Sequence, residues 1–135
     1  MKNDPLASNG RILIVDDEPG ILSLLKDLLT AFEYSPVSFA DPIQALDLFK
    51  KEHESFDIVL TDLSMPTMSG VQLAQQMYET SPSTPIIILT GFGESLAEEL
   101  LQHEYISGVL NKPMTPGELL QVIQGAKVES RTVLA

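Results

Sequence analysis

The sequence has no cysteine, few basic residues and no long hydrophobic run. The lack of cysteine among 135 residues excludes disulfide scaffolds, thiol catalysis and cysteine-ligated zinc or iron–sulfur centres. Eight Lys and Arg against nineteen Asp and Glu give a formal charge of −11, so the chain has no basic footprint for nucleic acid. No apolar run approaches the roughly 18 residues of a membrane span, and the N-terminus has no apolar signal-peptide core. We therefore expect a cytoplasmic protein that makes no direct nucleic-acid or membrane contact through this segment.

The composition that remains fits one globular domain. Hydrophobic residues make up 44% of the chain and charged residues 20%, both near globular averages. The length suits a single domain of roughly 100–150 residues. We expect residues 1–10, which are polar and contain Pro5 and Gly10, to form a disordered leader. Residues 11–127 would then form the domain, and residues 128–135 a tail too short for a second domain.

Five short apolar runs alternate with five helical patterns. The runs are β-branched or bulky and are bounded by turn or charged residues, as buried strands are; they are Ile12–Val15, Val37–Phe39, Ile58–Leu60, Ile86–Leu89 and Val109–Leu110. Strands that alternate with helices of about ten residues predict right-handed crossovers and a parallel sheet covered on both faces. The predicted fold class is α/β, a doubly wound (βα)₅ domain.

The helical segments carry recognisable start and stop signals. Apolar residues at helical spacing predict the first helix, namely Ile21, Leu24, Leu25, Leu28 and Leu29. Asp41-Pro42 is typical of a cap followed by a first-turn proline, and Ser81-Pro82 ends the third helix. The fourth helix is predicted over Glu94–Gln102. Thr115-Pro116-Gly117-Glu118 is a capping-box pattern that opens the fifth helix, whose last turn is weakened by Gly125.

Polar side chains follow four of the five predicted strands, at the edge where open parallel sheets carry their functional sites. They are Asp16-Asp17-Glu18, Asp62, Thr90-Gly91 and Asn111-Lys112-Pro113. Taken singly, each has an ordinary structural explanation: Asp16 or Asp17 as a helix cap, Thr90 as a turn residue, Lys112 as a solvated charge. Those explanations do not account for the combination.

Three carboxylates held close together repel one another and require a cation. Oxygen ligands without His or Cys favour Mg²⁺, which commonly accompanies a phosphoryl group. A hydroxyl and an ammonium nearby could take the remaining phosphoryl oxygens. A carboxylate can receive a phosphoryl group covalently, and Asp62, central in the set, is the best candidate nucleophile.

These segments resemble the receiver domain of two-component response regulators. The resemblance covers Arg11 to about Lys127, and its motifs are Ile12–Glu18, Leu60–Gly70, Ile87–Gly91 and Asn111–Pro113. It implies a flavodoxin-like sheet of strand order 2-1-3-4-5. It also implies phosphorelay signal transduction, in which a histidine kinase or histidine phosphotransfer domain supplies a phosphoryl group from phosphohistidine.

The resemblance assigns roles residue by residue. Asp62 would be the phosphoacceptor that becomes the aspartyl phosphate. Mg²⁺ would be held by Asp17 and Asp62 directly, by the Ser64 main-chain carbonyl, and by Asp16 through a water molecule. Such a domain is a phosphoacceptor that catalyses its own phosphorylation and dephosphorylation, rather than an enzyme acting on a separate substrate.

The switch residues follow from the same resemblance. Lys112 would bind the phosphoryl oxygens, and the Lys112-Pro113 bond would be cis. Thr90 would be the hydroxyl that moves toward the phosphoryl group. Many receivers carry an aromatic residue three positions before the lysine, where this chain has Val109, so a rotating-aromatic readout is in doubt. We expect Phe92 and Ser64 to tune the phosphoryl lifetime.

The output of the domain is left open by the sequence. It predicts either a stand-alone receiver or part of a longer regulator or hybrid sensor histidine kinase. A homodimer through the fourth helix, fifth strand and fifth helix is possible, although core packing suits Leu96, Leu100 and Ile106 better. The two histidines, His53 and His103, are expected to be solvated helix-end residues and not phosphodonors.

Three other functions fit the sequence less well than that of a receiver domain. Phosphohydrolases of the haloacid dehalogenase type place a second Asp two residues after the nucleophile, where this chain has Ser64. A flavin site is disfavoured because the first strand-to-helix turn is Asp-Asp-Glu-Pro, which repels phosphate and has no Ser/Thr/Gly cradle. The complete set of acidic residues, Thr90 and Lys112 argues against a phosphorylation-independent interaction module, although a fold alone does not define function.

Overall fold

The computed structural model describes residues 9–91 and 94–134 and contains one five-stranded parallel sheet. Its strands are β1 (Arg11–Val15), β2 (Ser35–Phe39), β3 (Ile58–Asp62), β4 (Ile86–Thr90) and β5 (Gly108–Asn111), in the order β2-β1-β3-β4-β5. The connecting helices are α1 (Pro19–Ala31), α2 (Pro42–Glu52), α3 (Gly70–Thr80), α4 (Glu94–Leu101) and α5 (Pro116–Leu134), with a 3₁₀ turn at His53–Ser55 after α2. The predicted flavodoxin-like α/β fold and its strand order are confirmed.

The sheet is buried on both faces because alternate strand residues pack against different helices. On one face, Leu13 and Val59 pack with Phe49 of α2 and Met77 of α3. On the other face, Ile12, Ile14, Leu60 and Ile87 pack with residues of α1 and α5, including Leu25, Leu29 and Ile123. Each fully buried side chain of this size contributes about 1.5–3 kcal/mol of transfer free energy. This double burial explains the nearly continuous apolar runs in β1, β3 and β4.

The strand register brings the carboxyl ends of the central strands together. Val15 is level with Thr61 of β3, and Asp62 is level with Leu89 of β4. Thr90 is level with Asn111 of β5. The residues that follow β1, β3, β4 and β5 therefore meet at one edge.

Side-chain caps fix the starts of three helices, and those of α2 and α5 lie at the predicted places. Asp41 Oδ1 accepts from the Ile43 amide at 2.9 Å at the start of α2. Ser69 and Gln72 form a reciprocal capping box at α3, and Thr115 and Glu118 form one at α5, with distances of 2.8 and 3.1 Å. Each box satisfies two backbone donors at a helix end.

Some element boundaries differ from those expected. β2 begins at Ser35 and includes Pro36, which an edge strand tolerates because one side of its backbone is unpaired. α5 continues past Gly125 to Leu134, so the backbone of residues 128–134 is helical where a tail was expected. Asn9, expected in the leader, donates its amide to the Glu33 carbonyl at 2.7 Å.

Most of the apolar residues expected in the core are buried or packed against it, whereas two leucines on the exposed sides of α1 and α4 are not. Leu100 and Ile106 are core residues, and Leu96 packs against that core, which favours packing over partner contact for them. Leu24 of the α1 stripe is 44% exposed and Leu101 of α4 is 49% exposed. No helix in the described parts of the chain combines the length and apolarity needed to cross a membrane.

Candidate functional site

An open cleft lies at the carboxyl edge of the sheet, where the sequence predicts the site. Its volume is about 420 Å³, and its lining residues are Asp17, Glu18, Asp62, Leu63, Ser64, Thr90, Gly91 and Lys112. Residues from the ends of β1, β3, β4 and β5 thus converge on one cavity.

Three of the lining or adjacent carboxylates form a tight cluster. Asp16, Asp17 and Asp62 each offer an oxygen, and these oxygens lie within 4.8 Å of one another. Asp16 and Asp62 are buried, whereas Asp17 is exposed to solvent in the cleft. Negative charges at this spacing, two of them buried, repel one another strongly. The cluster therefore needs a cation.

The Lys112 ammonium supplies a positive charge to this cluster. Its Nζ donates to Asp16 Oδ2 at 2.9 Å, to Asp62 Oδ1 at 3.0 Å and to Glu18 Oε1 at 3.2 Å. The backbone amide of Lys112 donates to the Thr90 carbonyl at 2.8 Å, which ties β5 to β4 beside the cleft. The Lys112-Pro113 bond is cis, as predicted.

The position of Asp16 is set by the loop that it also stabilises. Its Oδ1 accepts from the Glu18 amide at 2.9 Å, and its own amide donates to the Phe39 carbonyl at 3.1 Å. Asp16 thus stabilises the turn before α1 through these two hydrogen bonds, which is the structural role that the sequence offered for it. Its second oxygen faces Lys112, so one carboxylate has both functions.

The backbone of Asp62 is held by a close contact with the start of α3. A Cβ at Gly70 would lie 2.3 Å from the Asp62 carbonyl oxygen and 3.1 Å from the Leu63 Cα. The Gly70 amide donates to the Leu63 carbonyl at 2.8 Å, and the Leu63 amide donates to the Leu89 carbonyl at 2.9 Å. Only glycine permits this approach of helix to strand end.

Burial and charge shift the pKa values of the two central groups. Burial raises the pKa of the Asp62 carboxyl, and repulsion from Asp16 and Asp17 adds to this, while the hydrogen bond from Lys112 opposes it. Burial lowers the pKa of the Lys112 ammonium, but its hydrogen bonds to Asp16 and Asp62 outweigh burial, so the net shift is upward. Lys112 is therefore a permanent cation at neutral pH.

The remaining predicted residues occupy distinct places. Thr90 is buried at the end of β4 and lines the cleft, as does the exposed Ser64. Phe92 lies outside the described residues. Val109 is partly buried against the core. His53 and His103 lie near the ends of α2 and α4, and neither lines the cleft.

Two features of the site were not found by reasoning from the sequence. The first is the contact between Glu18 and Lys112, which joins residues 94 positions apart; the only signal was the place of Glu18 at the end of β1. The second is the close approach at Gly70. The capping pattern of Ser69 and Gln72 was a signal for the helix start, though not for its contact with Asp62.

Comparison with known proteins agrees with this fold. A family model described as the response regulator receiver domain matches residues 12–124. The sporulation initiation phosphotransferase F of Bacillus subtilis (strain 168) is 31% identical over 119 residues, which cover 88% of this chain and 92% of that protein. The solved structure of a response regulator receiver domain protein from Clostridium thermocellum superposes with a TM-score of 0.84 at 30% identity, covering 92% of this chain and 98% of that one.

Other relatives are longer proteins. The transcriptional regulatory protein GlrR of Escherichia coli (strain K12) is 34% identical over 119 residues, which are 88% of this chain and 26% of GlrR. The chain spans 26–32% of the length of four such curated relatives. The chain belongs to the response regulator receiver domain family of two-component systems.

Proposed function

We propose that this domain accepts a phosphoryl group on Asp62 from a phosphohistidine of a histidine kinase or histidine phosphotransfer domain. The observation that carries the proposal is the setting of Asp62. Its carboxylate lines an open cleft, lies beside two further carboxylates and receives a hydrogen bond from Lys112 at 3.0 Å. A carboxylate with both a cation and an acidic cluster beside it is suited to accept a charged group.

The proposed transfer needs little acid–base chemistry. An oxygen of Asp62 attacks phosphorus in line, a P–O bond forms, and the P–N bond of the donor breaks with its electron pair passing to the imidazole nitrogen. Lys112 stabilises the negative charge on the transferring oxygens. Hydrolysis later reverses the modification, when water attacks phosphorus and releases inorganic phosphate.

Magnesium fits the donor set at this site. All the available donors are oxygens, and the three Asp oxygens lie within 4.8 Å of one another, as a hard cation prefers. Asp17, Asp62 and the Ser64 main-chain carbonyl would hold the ion, with Asp16 acting through a water molecule. When bound, Mg²⁺ supplies positive charge that offsets the charge of the phosphoryl group.

The consequence of phosphorylation is proposed to be a shift at Thr90 and the β5 face. The phosphoryl group of an acyl phosphate carries roughly −1.5 to −2 charge where the carboxylate carried −1, and it lies next to Lys112, whose backbone amide donates to the Thr90 carbonyl. We infer a two-state arrangement of the Thr90 loop that this charge biases. A homodimer through α4, β5 and α5 would be one output; a receiver domain of related fold, NtrC4, is described as a beryllofluoride-activated dimer.

Two further parts of the proposal concern the cellular location of the domain and the lifetime of its aspartyl phosphate. We infer a cytoplasmic receiver unit over residues 11–127, with flanking segments 1–10 and 128–135. Ser64, exposed in the cleft, is proposed with Phe92 to tune the lifetime of the aspartyl phosphate. Equal dephosphorylation half-lives in wild type, Ser64→Ala and Phe92→Ala would end that part of the proposal.

Intact-protein mass after incubation with acetyl phosphate tests the function. We expect a single phosphoryl adduct that requires Mg²⁺, is lost with EDTA and is absent in Asp62→Asn. Asp47→Asn, which removes an exposed carboxylate of α2 outside the cleft, is the matched control and should retain the adduct. An adduct in Asp62→Asn would refute the assignment of the nucleophile. No adduct despite intact Mg²⁺ binding would favour an interaction module, and steady phosphate release without an adduct would favour a hydrolase.

A further inference from the structure

The Lys112 ammonium has used all of its hydrogen-bond donors. A lysine ammonium carries three N–H groups and no acceptor. In this structure they are directed to Asp16, Asp62 and Glu18, at 2.9, 3.0 and 3.2 Å. Phosphorylation of Asp62 replaces its carboxylate by an uncharged acyl group and frees one donor for a phosphoryl oxygen, so Lys112 can bind a second phosphoryl oxygen only if Asp16 or Glu18 is released.

After the transfer, the two remaining carboxylate acceptors, Asp16 and Glu18, differ in how readily they can be released. The side chain of Asp16 is 0% exposed, whereas that of Glu18 is 62% exposed. A buried carboxylate that loses its partner incurs a large desolvation penalty. An exposed carboxylate returns to water at little cost, because exposed ion pairs are weak. Glu18 also makes the longest of the three bonds.

The backbone of Glu18 is fixed, so its side chain starts from a defined position. The Glu18 amide donates to Asp16 Oδ1, and the Glu18 carbonyl accepts from the Ile21 and Leu22 amides. Glu18 is the N-cap residue of α1, yet its side chain makes no capping hydrogen bond. Its carboxylate reaches instead to Lys112, 94 residues away.

We propose that Glu18 is a positioning residue that holds the third donor of Lys112 in the unphosphorylated domain and yields it to the phosphoryl group. The inference rests on the proposed function, since it concerns the same phosphoryl group on Asp62. Glu18 then competes with the phosphoryl oxygen for the third N–H of Lys112, and it thereby weakens the binding of the phosphoryl group at the site. Removing the contact should strengthen that binding about two- to fivefold, the range of an exposed ion pair.

Two substitutions separate the contact from the charge. Glu18→Gln removes the charge and weakens the bond to Lys112. Glu18→Asp keeps the charge but is one methylene shorter, so we expect its carboxylate to lie beyond hydrogen-bond distance of Nζ, which is 3.2 Å from Glu18 Oε1. Asp is also a favourable N-cap residue, so Glu18→Asp is expected to be at least as stable as wild type. Asp47→Asn serves as the control for a lost surface charge.

Beryllofluoride, a tetrahedral anionic stand-in for the phosphoryl group, is the probe. Its dissociation constant is measured by ¹⁹F NMR for each variant at saturating Mg²⁺, after the Mg²⁺ dissociation constant has been measured by calorimetry. Thermal unfolding of the same samples reports any purely structural effect. We expect both Glu18 variants to bind beryllofluoride two- to fivefold more tightly than wild type, and Asp47→Asn to match wild type.

The outcomes separate this inference from the proposed function. If wild type binds Mg²⁺ and beryllofluoride but Glu18→Asp binds beryllofluoride no more tightly than wild type, the contact has no role and the inference is wrong while the function stands. Weaker binding in both Glu18 variants would also overturn it, because Glu18 would then assist the phosphoryl group. Wild type that binds neither Mg²⁺ nor beryllofluoride would overturn the proposed function together with the inference.

Discussion

Replacing Gly70 with alanine should disturb the backbone that carries Asp62. The new Cβ would lie 2.3 Å from the Asp62 carbonyl oxygen, whereas the closest favourable carbon–oxygen contacts are about 3.3 Å. The opposing atom belongs to the backbone of a buried central strand, so it cannot rotate away. Either α3 or the end of β3 must move by about 1 Å.

The size of the effect follows from this overlap. Forcing extra volume into a packed site costs about 1–3 kcal/mol, and alanine regains up to about 1 kcal/mol over glycine in a helix. We expect the free energy of unfolding to fall by about 1–2 kcal/mol, with a midpoint lower by roughly 4–10 °C. Because the displaced atoms belong to Asp62, phosphoryl acceptance should fall as well.

Two other glycines provide matched controls for the backbone effect. A Cβ at Gly20 of α1 or Gly125 of α5 would meet nothing within 4 Å. Gly125→Ala should therefore stabilise the protein by about 0.5–1 kcal/mol, and Gly20→Ala should not destabilise it. Urea unfolding and the acetyl phosphate adduct are measured for all three variants.

Two results would contradict this expectation. If Gly70→Ala proves as stable as Gly20→Ala, the close approach is not a constraint. Alternatively, it loses stability but accepts the phosphoryl group at the wild-type rate, in which case α3 yields and Asp62 is not displaced.

Three further predictions concern charge, coupling and backbone strain. Burial raises the pKa of Asp62, so its ionised form destabilises the fold at neutral pH, and this destabilisation disappears as the pH falls through the raised pKa. In urea unfolding, Asp62→Asn should be more stable than wild type at pH 7, by a difference that shrinks toward pH 4. A difference that stays constant with pH would contradict this. Thr90→Ala should still accept the phosphoryl group but lose the coupled chemical-shift changes along β5, which ¹⁵N NMR would detect; full changes would exclude Thr90 as the switch. Glu33, which follows α1, has a φ of 68°, and this conformation costs a residue with a side chain about 1–2 kcal/mol. Glu33→Gly should therefore raise the midpoint of thermal unfolding. An unchanged or lower midpoint would show that no strain is relieved.

The fold was predictable because periodicity and strand ends are local properties of the sequence. The apolar runs of β1, β3 and β4 are nearly continuous since both faces of the sheet are covered. The site followed from topology alone, because the carboxyl ends of parallel strands meet at one edge. Asp16, Asp62 and Lys112 were therefore expected together before any distance was known.

Other details depend on contacts between distant parts of the chain. Nothing local to Glu18 indicates that its side chain leaves the helix end and reaches Lys112. Nothing local to Gly70 indicates that a carbonyl of another strand lies against it. The extent of α5 was underestimated because Gly125 weakens a helix without ending it.

The pairing of Lys112 also has a consequence for synthesis of the chain. The carboxylates that this ammonium contacts precede it by 96, 94 and 50 residues. A nascent chain in which β1, β3 and β4 have emerged but β5 has not would hold the acidic cluster without its internal cation. The strand of this sheet that leaves the ribosome last is thus followed by the charge that offsets the carboxylates of the strands made before it.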